Sequence, residues 1–276
     1  MLELQRNLVF GQFVNIPSPL HRADPRAKMV ATFFLVAAGL VLTTLQGFAV
    51  LAPIILAIHA MTRIPWSHFL RGSRYFAGFV LFFLVFNALF LPVGGGPGYV
   101  WAHWGPFVLA SAQVHQSIVI AVRFLVLYDV TTLLLATTTL VDLTDGIQSL
   151  FSPLQGLRVP VHELGMVFVI SLKFVPIFTE EAERMVRARA ARGVPVDQGN
   201  PLVRARRLGG LLAPILIHGF RRADSLTEAL DSRSYRGGAG RTRLRILRIR
   251  LGDVVAAAIV FAWVLIAYLV NHRAGW

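Results

Sequence analysis

Two arginines stand in matching surroundings along this chain: Ala191-Arg192-Gly193 and, 41 residues on, Ser232-Arg233-Ser234. A guanidinium carries five N–H donors in a planar fork, which suits a carboxylate or a cluster of carbonyls on another protein. Small neighbours on both sides let a partner's backbone approach closely. That is the chemistry of grip rather than of bond making. Other candidates are thinner. His162-Glu163 lacks the second histidine that a zinc-binding helix needs four residues after the first. Cysteine is absent, which removes disulfides, thiolate metal sites and a cysteine nucleophile. There is no Gly-Lys-Ser/Thr phosphate loop, so the chain is not expected to hydrolyse ATP itself. Neither a resident metal nor a cofactor is expected.

The elements that position these arginines are oily. The 276 residues are 55% hydrophobic and only 15% charged, with mean hydropathy +0.63. A soluble domain carries about a quarter charged residues, so this balance points to a membrane protein. The net charge is nevertheless +13, and 16 of the 27 basic residues, all arginine, fall between Glu181 and Arg250. Beside hydrophobic spans, such a block fits anionic headgroups or an acidic protein surface. RNA-binding aromatic motifs and zinc-finger spacings are missing, so nucleic acid is not an expected partner.

A membrane-spanning helix needs about 20 mostly apolar residues. Four stretches before the arginine block qualify: Met29–Thr44, Phe48–Met61, Phe76–Leu91 and Ala112–Leu140. A fifth, Val254–Val270, follows it. The leader before Met29 is long, polar and basic, unlike a cleavable signal peptide. Arg6, Arg22, Arg26 and Lys28 precede span one, and Arg63, Arg71 and Arg74 lie between spans two and three. The turn at Gln46-Gly47 and the loop Pro92–Phe107 carry no charge. The positive-inside rule therefore places the N-terminus and the arginine block in the cytoplasm, with Arg273 as a single contrary charge.

Between spans four and five, about 110 residues read as helices rather than loop. Asp142–Leu154 has the spacing of a short interfacial helix. A longer helix runs from His162 to Ala191, apolar in its first half and charged from Glu180. That apolar half holds Lys173 and is too short to span alone, so it is expected to lie against the membrane. Another long helix should start at Asn200-Pro201, with Asn as N-cap, and end near Arg233 before Gly237-Gly238. Pro176 and Pro214 sit inside these two helices and should kink them.

Two charges fall within span four. Arg123 is expected to snorkel or to contact a neighbouring helix. Asp129 lies six residues away, the wrong spacing for a pair on one helix face, and nothing in the sequence explains it. Asp142-Leu-Thr-Asp145-Gly146 copies the opening of the acidic motif with which membrane phosphatidyltransferases hold a divalent metal. Hard cations need several oxygen ligands, and Ile147–Arg158 supplies no further Asp. A helix N-terminus at the membrane surface is the better reading.

Taken together, the motifs carry a resemblance. Ser171-Leu-Lys-Phe-Val-Pro176 through Glu180-Glu-Ala-Glu-Arg184 to Ala191-Arg-Gly193 resembles the first coupling helix of the transmembrane T component of energy-coupling factor transporters. Arg221-Arg-Ala-Asp224 through Glu228-Ala-Leu-Asp-Ser-Arg233-Ser-Tyr-Arg-Gly237 resembles the second. Pro19-Leu-His-Arg-Ala-Asp24-Pro25-Arg26-Ala-Lys28 is similar to that family's lead into its first span, and Arg123 and Thr137-Thr138-Thr139 fit its pattern. The second triplet departs, reading Ser-Arg-Ser where Ala-Arg-Gly is common.

The resemblance implies an all-α, polytopic membrane subunit of a prokaryotic cell membrane, without chemistry of its own. Two cytoplasmic ABC-type ATPase subunits would bind the Arg192 and Arg233 ends. The two kinked helices would pass ATP-driven motion to a separate substrate-binding membrane subunit for vitamin or transition-metal uptake. The expected division is residues 1–140 for the leader and four spans, 141–250 for the cytoplasmic coupling region, and 251–276 for the last span. Two rivals are a lipid-modifying enzyme built on Asp142 and Asp145, and a basic scaffold that binds anionic lipid.

Overall fold

The computed structural model describes residues 16, 18–65, 78, 80–82, 85–86, 100–104, 107–157, 160–193, 200–237 and 249–274. Most of the third expected span, Phe76–Leu91, lies outside them. The chain is all-α in architecture. Helices α1 (Pro25–Val41), α2 (Leu45–Thr62), α3 (Ser111–Thr137), α4 (Leu140–Leu150), α5 (Val161–Ala191), α6 (Pro201–Ser232) and α7 (Leu251–Ala274) follow one another, with a 3₁₀ turn over Ser152–Leu157 between α4 and α5. An antiparallel hairpin, β1 (Val100–Trp104) and β2 (Phe107–Ala110), begins in the stretch read from sequence as uncharged loop, Pro92–Phe107, and runs past its end.

Among the described residues, four helices are long and apolar enough to cross a membrane: Leu45–Thr62, Val114–Thr137, Val161–Ala191 and Leu251–Arg273. Three match expected spans. The fourth is α5, whose apolar half reads from sequence as too short. The helix runs unbroken through Lys173 and Pro176 for 31 residues, so length no longer argues against a crossing. Helix α1 covers 17 residues and includes most of the expected first span.

The chain divides into two compact units, one made of Gly11–Gly146 with Leu247–Trp276 and the other containing Ile147–Ile246. In the first, α1, α2, α3 and α7 pack around Leu35, Leu51, Ile55, Val119, Val130 and Val260. Lipid tails are as apolar as leucine, so small residues and hydrogen bonds must hold such helices together. Ala136 and Ala267 are fully buried. A Cβ on Gly39 would stand 3.1 Å from Leu127, which marks a close crossing of α1 and α3.

Polar contacts pin the bundle at both ends. Asp24 caps α1 by accepting from the Arg26 amide at 2.9 Å, with Pro25 at the first helical position. Lys28 Nζ donates to the Thr137 carbonyl at 3.1 Å, satisfying a group that the end of α3 leaves open. At the other end, Asn271 Oδ1 accepts from the Thr43 amide, the Thr44 amide and the Thr44 hydroxyl, each at 2.9 Å. Thr44 is the N-cap of α2, and its hydroxyl also accepts from the Gly47 amide at 3.2 Å. A Cβ at Gly47 would meet Asn271 Oδ1 at 3.1 Å and Leu42 Cδ2 at 2.9 Å. Only glycine leaves room for that latch.

Asn271→Leu strands two amides and a hydroxyl. It is expected to cost about 2 kcal/mol, read as a lowered unfolding midpoint in detergent. Asn271→Asp keeps the acceptor and should lose less; equal losses for both would refute the role given to Oδ1.

Candidate functional site

The two arginine triplets close two helices in one conformation. Ala191 is the last residue of α5, Arg192 is its C-cap with φ −87° and ψ 12°, and Gly193 turns left-handed at φ 79°. Ser232 ends α6, Arg233 is its C-cap with φ −92° and ψ 10°, and Ser234 turns left-handed at φ 52°. The backbone bonds repeat as well. Arg192 N donates to Arg189 O at 3.1 Å and Gly193 N to Ala190 O at 3.0 Å; Arg233 N donates to Leu230 O at 3.1 Å and Ser234 N to Asp231 O at 2.9 Å. Both arginines are exposed, and among the described residues neither makes an ion pair.

Ser234 thus does the work expected of Gly237. Left-handed backbone suits glycine and costs an L-residue roughly 1–2 kcal/mol. Gly237 also has positive φ, at 82°, but lies beyond the helix end. Asn200 holds the expected N-cap position of α6 and Pro201 the first helical one, yet the Asn200 side chain makes no capping bond. Ser234→Gly is expected to stabilise this end by about 1 kcal/mol, and Gly193→Ala to weaken the other by a similar amount. Hydrogen exchange of the last turns of α5 and α6 measures both; unchanged protection in either variant would refute the left-handed assignment.

One contact ties the end of α5, beside Arg192, to the first third of α6, far from Arg233. Pro214 has no amide to give the Gly210 carbonyl. Arg189 of α5 takes that carbonyl instead, with Nη2 donating at 2.6 Å, while Nη1 donates to the Arg207 carbonyl at 3.1 Å. A Cβ on Gly210 would come within 3.1 Å of Nη1. Proline, glycine and arginine therefore form one joint, three residues before Arg192. Pro176 likewise lies inside α5 and leaves the Leu172 carbonyl without its helical donor.

The remaining candidates resolve into structural contacts. Arg123 donates through Nη2 to the carbonyl of Leu42, the C-cap of α1, at 2.7 Å. It contacts a neighbouring helix, as expected. Asp129, unexplained by the sequence, faces buried His59 across α2 and α3, with Nδ1 to Oδ1 3.7 Å. Asp142 occupies the third position of α4. Its Oδ2 accepts from the Thr139 hydroxyl at 2.7 Å, and its amide donates back to that oxygen at 3.1 Å. Thr139 rather than Asp142 is thus the N-cap, its hydroxyl accepting from the amide of the third helical residue. His162 Nδ1 pairs with Gln148 Nε2. Among the described residues, no group of three His, Asp, Glu or Cys could hold a metal ion.

Residues 17–245 match the family model described as cobalt transport protein, CbiQ. The chain belongs to the CbiQ/EcfT family. Among its curated relatives, the energy-coupling factor transporter transmembrane protein EcfT of Heliobacterium modesticaldum is 39% identical over 88% of this chain and 89% of that protein. The EcfT of Ruminiclostridium cellulolyticum is 34% identical over 95% and 97%, and that of Bacillus subtilis 34% identical over 92% and 97%. As an EcfT-family member, the chain is a membrane component of an energy-coupling factor transporter.

Sequence reasoning missed His59, Asn271 and Arg189 in this EcfT-family fold. A histidine inside an apolar run was the signal for the first, and an asparagine near the end of span five for the second. Arg189 looked like one arginine among many; only the Pro214 spacing, four residues after Gly210, hinted at an open carbonyl.

Proposed function

We propose that the chain couples ATP hydrolysis in two cytoplasmic ABC-type ATPase subunits to substrate uptake through a separate substrate-binding membrane subunit. Arg192 and Arg233 anchor one ATPase each. Helices α5 and α6, joined at Arg189, carry the stroke. The carrying observation is that two arginines, on two helices packed together, stand at C-caps of nearly identical backbone geometry. Two matching partner subunits require two matching contacts. The names of the relatives support a transporter complex, and the family description, cobalt transport protein, supports a transition metal ion beside vitamins as the class of cargo. The arginine-rich segment and the uncharged loops support a cytoplasmic N-terminus and coupling region in a bacterial cell membrane.

The lipid-modifying alternative loses its basis, because the carboxylate of Asp142 is engaged in capping a helix. The test is co-purification. The wild-type chain retains two ATPase subunits, and an Arg192→Ala, Arg233→Ala double variant reaches the membrane without them. A double variant that keeps both ATPases and transports normally would overturn the proposal.

A further inference from the structure

Helices α5 and α6 meet at a run of points whose numbers move in opposite directions. A Cβ on Gly237 would stand 3.8 Å from Glu163 Oε1, and the Arg222 guanidinium carbon lies 5.9 Å from the centroid of the Phe174 ring. A Cβ on Gly219 would stand 3.4 Å from Phe178 Cζ, and Arg189 Nη2 donates to the Gly210 carbonyl at 2.6 Å. The two helices are therefore antiparallel, and Arg192 and Arg233 close opposite ends of the pair.

One of these points has a special place. Arg233 follows Arg192 by 41 residues, and Gly219 follows Phe178 by the same 41. Where matching residues of two antiparallel helices touch, a local two-fold axis passes between them. The Phe178–Gly219 contact thus lies midway between the arginines, with 14 residues from it to each. At 1.5 Å of rise per residue, each arm is about 21 Å long and the arginines stand about 40 Å apart. Neither arm contains a proline, because Pro176 and Pro214 both precede the contact. The arms carry no proline kink, so the contact from which they diverge fixes where both tips point. A Cβ at Gly219 already meets the Phe178 ring at van der Waals distance, and a longer side chain pointing the same way must displace it.

We infer that Phe178 and Gly219 are positioning residues for coupling: their contact is the fulcrum that sets the separation and the opposite orientation of the two anchors. The inference rests on the reading of Arg192 and Arg233 as ATPase anchors. Phe178 and Gly219 act through those arginines.

The chain has no cysteine, so Ala190→Cys and Asp231→Cys, two exposed positions that also match across the axis, can carry one spin label each. Dipolar electron-spin resonance on the full chain in detergent, without ATPases, is expected to give one narrow distance of about 40 Å. Gly219→Leu should shift or broaden it, since a tilt of about 10° moves the tip of such an arm by roughly 4 Å. In the complex reconstituted with its ATPases and substrate-binding subunit, Gly219→Leu should lower uptake roughly tenfold while ATP hydrolysis persists. A merely structural role would lower hydrolysis and uptake together. Adding Phe178→Ala moves the bulk from one helix to the other and should restore both distance and uptake. A distance below about 25 Å in the labelled wild-type background would place both arginines at one end and overturn the inference. Gly219→Leu with distance and uptake unchanged overturns it, as does a moved distance with uptake intact. If Gly219→Leu loses helical content or its single elution peak, Phe178→Ala alone takes its place. That variant opens a gap at the axis and should broaden the distance; a distance as narrow as wild type overturns the inference. Because the distance is read without ATPases, a failure of the arginine anchors shows only in the complex and is told apart from a failure of the fulcrum.

Discussion

Alanine at both Arg192 and Arg233 is expected to abolish ATP-driven uptake and to release the ATPase subunits from the membrane complex. Removing one member of a desolvated, hydrogen-bonded charge pair costs about 2–5 kcal/mol, or roughly 30-fold to several thousand-fold in affinity per contact. In the proposed complex the two contacts engage separate partner subunits, so their losses should add. Each single variant keeps one anchor and is expected to retain partial assembly with strongly reduced transport. Lysine at either position preserves charge but not the planar fork, so it should fall between arginine and alanine. The chain itself should tolerate these changes. Both side chains are exposed at helix ends, and such substitutions usually move stability by less than about 0.5 kcal/mol. Assembly and uptake are therefore read separately from folding, by subunit stoichiometry, transport of a labelled substrate and the unfolding midpoint. Normal uptake in the double variant would remove both arginines from the coupling site.

The helices and their ends were legible because local chemistry sets them. Pro201 opens α6 and Gly193 closes α5, each through a preference written in a few adjacent residues, whereas α1 starts at Asp24-Pro25, ahead of the Met29 read from hydropathy. Other features depend on partners distant in sequence. Span four reads from sequence as running on to Leu140, but α3 stops at Thr137, where Lys28 takes a terminal carbonyl and Thr139 starts the next helix. Asp129 made no sense until His59, 70 residues earlier, came to face it. The second triplet was legible as an arginine between small residues, yet nothing local predicts a serine in left-handed backbone. That conformation repeats the Gly193 geometry at Ser234 despite its cost, which an interface requiring the arginine in one fixed orientation would explain.

If α5 and α6 must move as one body, the joint at Arg189 is the most sensitive point between the two anchors. Arg189→Met keeps the length and apolar stem of the side chain while removing both of its bonds to α6, at 2.6 Å and 3.1 Å. Hydrogen bonds from a charged donor contribute about 1.5–3 kcal/mol each, and the Gly210 carbonyl would be left without a donor. Uptake is expected to fall at least about tenfold, the effect of losing roughly 1.4 kcal/mol of coupling. ATP hydrolysis should change far less, because the proposed ATPase anchors, Arg192 and Arg233, are left in place. A loss of coupling with retained assembly distinguishes a transmitting joint from an anchor. The geometry also predicts a rescue. Pro214→Ala restores an amide four residues after Gly210, so helix α6 can satisfy that carbonyl internally. Adding Pro214→Ala to Arg189→Met should therefore recover stability, since the stranded carbonyl regains a donor. It should not recover uptake, since no bond from α5 returns. Recovery of both would mean that Arg189 serves only to satisfy a carbonyl; recovery of stability alone makes it the mechanical link between the helices.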